Sequence, residues 1–188
     1  MLEFDENKIV NRLRAGDLSA LDIMMNRYKQ ELFMLAFRVL GSKEDAEEIL
    51  QDVFLKAFKS IGGFERKSKL STWLYRICIN LSINRKKQLQ RQASKRSVQT
   101  PETDTLVSSE NIEEKYSQNE THARVLKLLD QLKPDENAAV SLYYLKGYSC
   151  GEISEMLSKP VNSVKTDLHR ARKRLKSLLT AFSMYWSI

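Results

Sequence analysis

Six cations crowd a twelve-residue stretch near the C-terminal end of this 188-residue chain. They are Lys165, Arg170, Arg172, Lys173, Arg174 and Lys176, with Asp167 as the acidic residue among them. Val164, Leu168 and Leu175 recur at helical spacing, which predicts a helix with one apolar face and one basic face. Such a helix suits a DNA major groove, where its first residues meet base edges and its later cations meet phosphates. A solvated basic helix without a ligand is the alternative.

A short helix and a tight turn are predicted just before the basic helix. Ser149 and Glu152 have capping-box spacing, Ile153 and Leu157 form an apolar pair, and Pro160 interrupts the pattern. Two short helices joined by a turn, the second one basic, outline a helix-turn-helix. This arrangement favours DNA binding over a solvated helix.

A second candidate site combines aromatic, basic and amide side chains. Its members are Phe64, Trp73 and Tyr75, the nearby cations Arg66, Lys67, Lys69, Arg76 and Arg85, and further along Asn80 and Asn84. Aromatic faces stack on unpaired bases while cations follow the backbone, and Asn pairs with adenine edges or holds a flipped base. The pattern indicates single-stranded or opened DNA, although Trp73 fits a core position equally well.

An acidic stripe lies on the predicted outer face of another helix. It consists of Glu44, Asp45, Glu48, Gln51 and Asp52. The helix dipole accounts for acids in the first turn but poorly for Glu48 and Asp52, which lie further from the helix end. A basic protein surface is the partner that this stripe predicts.

Helical periodicity predicts the elements that must position these groups. One face carries Leu21, Met24, Met25, Tyr28, Leu32, Leu35, Ala36 and Val39 up to Gly41, and the next carries Ala46, Ile49, Leu50, Val53, Phe54, Ala57, Phe58 and Ile61 up to Gly62. Ser42 and Asp45 have capping-box spacing between them. A third apolar series runs from Leu70 to Leu81, and a shorter helix surrounds residues 9–13. Further on, helices are predicted around residues 125–132 and 138–143, with Tyr143 on the buried face.

Composition agrees with an all-α fold. Gly and Pro number 6 and 3, too few for the turns of a barrel or sandwich, and 42% of the residues are hydrophobic. The net charge of +7 favours a polyanionic partner. Cys78 and Cys150 cannot form a disulfide framework, and neither His122 nor His169 has metal-ligand neighbours. We therefore predict no catalytic residues, no metal and no cofactor.

Charge divides the chain into three parts. Residues 1–91 carry 17 basic and 12 acidic side chains, and residues 122–188 carry 11 and 6, so each part has a net charge of +5. Residues 92–121, with a net charge of −3, are rich in Ser, Thr, Gln and Asn. The sequence predicts two small helical domains, 1–91 and 122–188, joined by a flexible acidic linker.

Three segments resemble those of bacterial sigma factors. Residues 45–58 (DAEEILQDVFLKAF) resemble the segment that binds core RNA polymerase. Residues 71–80 (STWLYRICIN) resemble the segment that melts and reads the −10 promoter element, and residues 164–175 (VKTDLHRARKRL) the helix that reads the −35 element. Their order and the short chain are similar to the extracytoplasmic-function (ECF) group of the sigma-70 family.

The resemblance implies a role for particular residues. Asp45, Glu48, Gln51, Asp52 and Leu55 would bind the polymerase clamp. The 64–70 loop would receive a base flipped from the −10 strand, with −10 contacts from Phe64, Lys67, Ser68, Lys69, Trp73, Arg76, Asn80 and Asn84. Ser163, Lys165, Thr166, Arg170 and Arg174 would face the −35 duplex.

The chain departs from the family pattern in the last segment. Lys159 stands where an apolar turn residue is usual, Val161 where a polar one is, and Asn162 where Gly is common. Asp167 replaces a basic residue. Because a carboxylate accepts a hydrogen bond from cytosine N4 and repels phosphate, Asp167 predicts an unusual −35 preference.

The resemblance further implies partners and location. Core polymerase would be bound at its β′ clamp and β flap, promoter DNA would be the ligand, and an anti-sigma factor would inhibit the chain. The chain would be a cytoplasmic, non-catalytic regulator in a bacterium, held near the membrane by its inhibitor. The first alternative is a stand-alone helix-turn-helix repressor or activator with an N-terminal dimerisation or sensing bundle, and an enzyme is the second.

Overall fold

A computed structural model describes residues 5–97 and 120–185 of the chain. This part of the chain contains eight α-helices and no strand, which confirms the all-α prediction. The helices are α1 (Glu6–Arg14), α2 (Leu18–Leu40), α3 (Lys43–Ser60), α4 (Leu70–Ser97), α5 (Glu120–Asp130), α6 (Pro134–Val140), α7 (Cys150–Leu157) and α8 (Val161–Tyr185). Most of the predicted linker, residues 98–119, lies outside the described residues.

Local signals define the bend between α2 and α3. Gly41 ends α2 in the left-handed conformation, with φ 75°, and its N–H donates to the Phe37 carbonyl at 2.8 Å. Ser42 then caps α3, because its hydroxyl accepts from the Asp45 N–H at 3.2 Å. The predicted capping box is only half formed here, since the Asp45 carboxylate binds Arg85 instead.

The N-terminal bundle packs α2, α3 and α4 around one core, with α1 against α2. The apolar faces predicted for these helices supply the buried side chains, among them Met24, Leu32 and Leu35 of α2. The expectation for Met25 is wrong, because this side chain is 37% exposed while Ala20 takes the buried position one turn before Met24.

The C-terminal part forms the predicted helix-turn-helix from α7 and α8. The capping box is complete, with Ser149 Oγ accepting from the Glu152 N–H at 3.2 Å and the Glu152 carboxylate accepting from the Ser149 N–H at 2.8 Å. Val164 and Leu168 anchor α8 in the core. Tyr143 is another wrong expectation: a π-helical turn (Ser141–Leu145) continues α6 and leaves this ring 38% exposed.

The two halves of the chain pack directly against each other. Helix α4 lies against α6 and α7, while α2 lies against α5 and α6. Ion pairs cross this interface from Lys86 Nζ to Asp130 Oδ1 and from Lys146 Nζ to Glu31 Oε2, each at 2.7 Å. The sequence predicted two tethered domains and gave no sign of this shared interface.

Across residues 5–97 and 120–185, no helix combines the length and apolar character needed to cross a membrane.

Gly41→Ala is expected to lower the free energy of unfolding by about 1–2 kcal/mol, because a left-handed conformation is unfavourable for Ala. The added Cβ would also lie 3.2 Å from Asp130 Oδ1 across the interface. Urea denaturation followed by circular dichroism measures the change. Gly62→Ala is the matched control, because a Cβ there meets no atom within 4 Å. Equal free energies of unfolding for the two variants would contradict the claim that the left-handed conformation at position 41 requires Gly.

Candidate polymerase and nucleic-acid interfaces

The outer face of α3 presents the acidic stripe to solvent. Glu48, Gln51 and Asp52 are exposed, and Leu55 adds an apolar side chain that is 53% exposed. Asp45 is less available, because its carboxylate lies 2.7 Å from Arg85 of α4. The other acidic partner of Arg85 is Glu48, at 3.0 Å, and the hydrogen bond to Asp45 raises the pKa of Arg85. Asp45 is therefore a half-buried member of a bridge between α3 and α4, while Glu48, which shares Arg85, stays exposed beside Gln51, Asp52 and Leu55.

The loop between α3 and α4 borders a cavity of 420 Å³. Its lining includes Phe64, Lys67, Ser68 and Lys69, four of the residues predicted for −10 DNA. This volume falls within the range of small-ligand sites, about 300–1,000 Å³. The aromatic wall is not an exposed platform, since Phe64 is only 5% exposed and its ring centroid lies 5.1 Å from that of the half-buried Trp73.

Helix α1 contributes residues to the same cavity that the sequence analysis missed. Glu6, Asn7 and Val10 line the cavity opposite the loop. The Glu6 carboxylate also accepts from the Leu70 N–H at 3.1 Å, which fixes the start of α4. These lining residues stand more than fifty positions before Phe64, and the sequence carries no signal that brings α1 and the loop together.

Tyr75 does not stack on a ligand as its pattern suggested. The ring is 5% exposed, its hydroxyl donates to the Glu31 carboxylate, and Lys146 Nζ lies 3.2 Å from the same hydroxyl. Burial and the Glu31 carboxylate raise the pKa of Tyr75, while Lys146 and Tyr75 lower the pKa of Glu31. This cluster holds the two halves of the chain together and is not a nucleic-acid surface in this conformation.

The remaining −10 residues on α4 face the helix-turn-helix. The Arg76 guanidinium donates to Ser158 Oγ at 3.1 Å, and Asn80 Nδ2 donates to the Met156 carbonyl at 3.1 Å. Asn84, one turn further along, is exposed. The end of α7 and the following turn thus lie where the predicted DNA strand would run.

Helix α8 presents the predicted −35 residues on its outer side. Lys165, Thr166, Arg170 and Arg174 are exposed and Ser163 is half-buried, while the opposite face is held in the core. The Thr166 hydroxyl donates to the Asn162 carbonyl at 2.8 Å. The helix is anchored on one side and cationic on the other, as DNA binding requires.

Asp167 pairs with a cation of the helix-turn-helix turn. Its Oδ2 lies 3.0 Å from Lys159 Nζ, and its side chain is only 16% exposed. The carboxylate is therefore engaged at the turn, and the unusual −35 preference expected from Asp167 stays a prediction. Two of the four departures from the family pattern thus pair with each other.

An apolar groove of 710 Å³ runs between α5, the π-helical turn and α8. Its lining includes Val125, Leu128, Tyr144, Leu145 and Leu179. Four of these side chains are large and at least 42% exposed, a clustering that single surface hydrophobics do not show.

Among residues 5–97 and 120–185, no three His, Cys, Asp or Glu side chains converge as metal ligands.

Comparison with known proteins covers both halves of the chain. Residues 24–92 match the family model for sigma-70 region 2, and residues 122–175 match the model for sigma-70 region 4. The ECF RNA polymerase sigma factor SigW of Bacillus subtilis is 30% identical over 188 residues, covering 95% of this chain and 98% of its own. The chain belongs to the ECF family of sigma factors. It is a sigma factor that directs transcription initiation.

A second ECF relative agrees with this assignment, and two solved structures share the fold. SigM of Mycobacterium tuberculosis is 32% identical, covering 88% of this sigma factor and 80% of its own chain. The fold matches CnrH, solved in complex with the cytosolic domain of CnrY, with a TM-score of 0.64, 21% identity and coverage of 94% and 97% of the two chains. It also matches RpoE from Bartonella quintana, solved with the anti-sigma factor NepR, with the same TM-score at 22% identity and coverage of 85% and 96%.

Proposed function

We propose that this sigma factor uses three separate surfaces for three steps of initiation. The acidic face of α3 binds the polymerase clamp, the cavity beside the 64–70 loop captures an unpaired −10 base, and the outer face of α8 reads the −35 duplex. The proposal rests on where the charged, polar and aromatic side chains lie. Each surface sits on a different element, and each has the charge that its partner requires.

Polymerase binding rests on the exposed part of the acidic stripe. Glu48 and Asp52 supply negative charge, Gln51 supplies an amide, and Leu55 supplies an exposed apolar contact at the C-terminal end of the surface. Charge complementarity steers such encounters, and a buried apolar centre provides the affinity. Asp45 contributes indirectly, because it fixes Arg85 and with it the packing of α3 on α4.

Strand capture rests on the cavity between α1 and the loop. Lys67 and Lys69 are exposed at its rim and can follow the phosphates, and Ser68 offers a hydroxyl to a base edge. A base taken out of its stack needs a concave site with polar groups, which this cavity provides. Phe64 lines the site, and its ring packs against that of Trp73.

Duplex reading rests on α8. Ser163 and Thr166 lie near its N-terminal end, the part of a recognition helix that reaches base edges, and Arg170 and Arg174 follow toward the phosphates. Lys165 adds a cation beside them. Region 4 thereby positions the polymerase on intact DNA while region 2 holds the opened strand.

The packed arrangement must open before both promoter elements are engaged. Arg76 lies 3.1 Å from Ser158, which is five residues before Ser163. The −10 and −35 elements are about 50 Å apart, one and a half turns at about 34 Å per turn. Five residues span at most about 18 Å, so the two reading surfaces cannot reach their elements in this conformation. The arrangement described here is the closed, non-reading state.

Domain separation assigns a role to the predicted linker. We propose domains at 1–91 and 122–188 with residues 92–121 as the tether. Because α4 runs to Ser97 and α5 begins at Glu120, the 22 residues between these helices would extend to about 73 Å at ~3.3 Å per residue. A partly stretched chain of this length reaches between the promoter elements. Its net negative charge suits a basic polymerase channel that otherwise holds nucleic acid.

The apolar groove on region 4 is proposed to receive the polymerase β flap. Its exposed aliphatic and tyrosine side chains offer an apolar surface that a partner must cover. An anti-sigma factor is a further proposed partner, by analogy with the RpoE–NepR complex. We propose that the chain acts in the cytoplasm without catalysis of its own, and that its inhibitor can hold it near the membrane.

Run-off transcription tests the proposed function. Purified core polymerase is assayed with and without the full chain on a library with randomised −10 and −35 elements, and transcript ends are sequenced. We expect transcripts that depend on the chain and that select sequence in both elements. Transcripts that are equally abundant without the chain, or that show no preference in either element, would contradict the proposal.

A further inference from the structure

Lys159 lies at the centre of a charge cluster in the helix-turn-helix turn. Its Nζ is 2.6 Å from Asp135 Oδ1 and 3.0 Å from Asp167 Oδ2. Asp135 belongs to the first turn of α6, and Asp167 belongs to the second turn of α8. One ammonium group therefore joins the recognition helix to another helix of region 4.

The cluster is sheltered enough to matter energetically. The side chains of Lys159, Asp135 and Asp167 are 27%, 22% and 16% exposed. Burial disfavours both charged forms, yet hydrogen bonds from Lys159 and Lys87 lower the pKa of Asp135, and those to Asp135 and Asp167 raise the pKa of Lys159. Charge-assisted hydrogen bonds of this kind are stronger than neutral ones.

The backbone of the same residue is also fixed. The Lys159 N–H donates to the Ser154 carbonyl at 3.0 Å, and the Ser154 hydroxyl donates to the Lys159 carbonyl. Pro160 follows, and its carbonyl accepts from the Ser163 N–H at 2.9 Å. The side-chain pair thus acts on a rigid turn that leads directly into the first proposed −35 residue.

We infer that Lys159 and Asp167 are positioning residues that set the orientation of α8, and that Asp167 does not read bases. The inference rests on the proposed −35 role of α8. Both partners of Lys159 lie in region 4, so the cluster persists when the domains separate and Lys87 leaves Asp135. Asp135 and Asp167 then hold Lys159 from two sides, and the helix meets DNA at one fixed angle.

The test compares base preference with overall affinity. Holoenzyme reconstituted from core polymerase and each full-length variant is used to select promoters from a library with a randomised −35 element, and sequencing gives the relative affinity for every base at every position. We expect Asp167→Asn to weaken all −35 sequences by a common factor of about three to ten, because the amide oxygen still accepts from Lys159 while the charge that strengthens the bond is lost. Base preferences should stay as in the wild type.

Variants of Lys159 sharpen the test. Lys159→Met leaves two carboxylates facing each other without a cation, so its uniform loss should exceed that of Asp167→Asn. Lys159→Arg keeps the charge and both donors and should stay within about twofold of the wild type. Arg170→Ala is the positive control for a DNA-facing residue. Its loss of affinity should be confined to particular −35 positions if Arg170 contacts a base, or be accompanied by a weaker salt dependence if it contacts a phosphate. Thermal unfolding of each variant confirms that it is folded.

Two results would overturn the inference alone. A changed base preference at one position in Asp167→Asn would make Asp167 a reading residue, and wild-type behaviour of both Asp167→Asn and Lys159→Met would remove their positioning role. Wild-type holoenzyme that ignores the −35 sequence altogether would instead overturn the proposed −35 function and this inference with it.

Discussion

Reversing the charge at Glu48 and Asp52 together is expected to raise the dissociation constant for core polymerase by about 100-fold, since like charges placed against each other across an interface cost several kcal/mol. Both side chains are exposed on α3. Glu48 shares Arg85 with Asp45, and Asp45 still holds Arg85 in the variant. The measurement is equilibrium binding of Glu48→Lys/Asp52→Lys to purified core, by fluorescence anisotropy at physiological salt. Run-off transcription at a fixed concentration of the variant should fall in parallel.

A matched variant controls for net charge. Asp22→Lys/Glu155→Lys changes the total charge by the same amount at exposed positions outside the stripe, and its affinity should stay within about twofold of the wild type. Asp45 is unsuitable as a test residue, because its loss also frees Arg85. Equal affinities of the two double variants for core would contradict the role given to α3.

Lys146→Glu is expected to open the closed state and to tighten the apparent affinity for core polymerase by about tenfold. Lys146 Nζ lies 2.7 Å from Glu31 Oε2 and is 18% exposed, so reversal puts two carboxylates together at the interface. A charged hydrogen bond contributes about 1.5–3 kcal/mol. In the proposed function α3 binds the clamp and the region 4 groove binds the β flap, and we expect only the open state to make both contacts at once. A binding-competent state that is more populated binds more tightly in proportion. Small-angle X-ray scattering should show a larger radius of gyration.

The charge swap separates opening from general damage. Glu31→Lys/Lys146→Glu restores an ion pair with reversed direction, and its radius of gyration and affinity should return toward wild-type values. Lys127→Glu places the same charge change at an exposed position of α5 and should alter neither. A Lys146→Glu single variant that is as compact as the wild type, with unchanged affinity for core, would contradict the proposal that this interface holds the closed state.

The sequence predicted much of the local structure, because its signals act over a few residues. The capping box at Ser149, the helix end at Gly41 and the break at Pro160 are each decided by residues no more than four positions from the helix end concerned. Apolar periodicity likewise predicted which faces of α3 and α8 are buried. The order of the three family segments then indicated the function that the family comparison supports.

What the sequence could not predict depends on contacts between distant parts of the chain. Periodicity predicted that Met25 is buried. The neighbouring helices instead cover the face of α2 that carries Ala20 and Met24, and Met25 lies just outside it. Tyr75 looked like a stacking platform because nothing local indicates its partners Glu31 and Lys146. Asp135 is a further case, because nothing near it in sequence indicates its contact with Lys159, which lies 24 positions away.

Promoter binding measured with and without polymerase tests the central claim most directly. A labelled promoter duplex is titrated with the chain alone, with core polymerase alone, and with both together. We expect tight, sequence-dependent binding only for the combination. Its affinity should exceed that of the chain alone by about a thousandfold, the lower end of the usual ratio of specific to non-specific affinity. Equally tight, sequence-specific binding by the chain alone would contradict this expectation and would identify a stand-alone helix-turn-helix regulator.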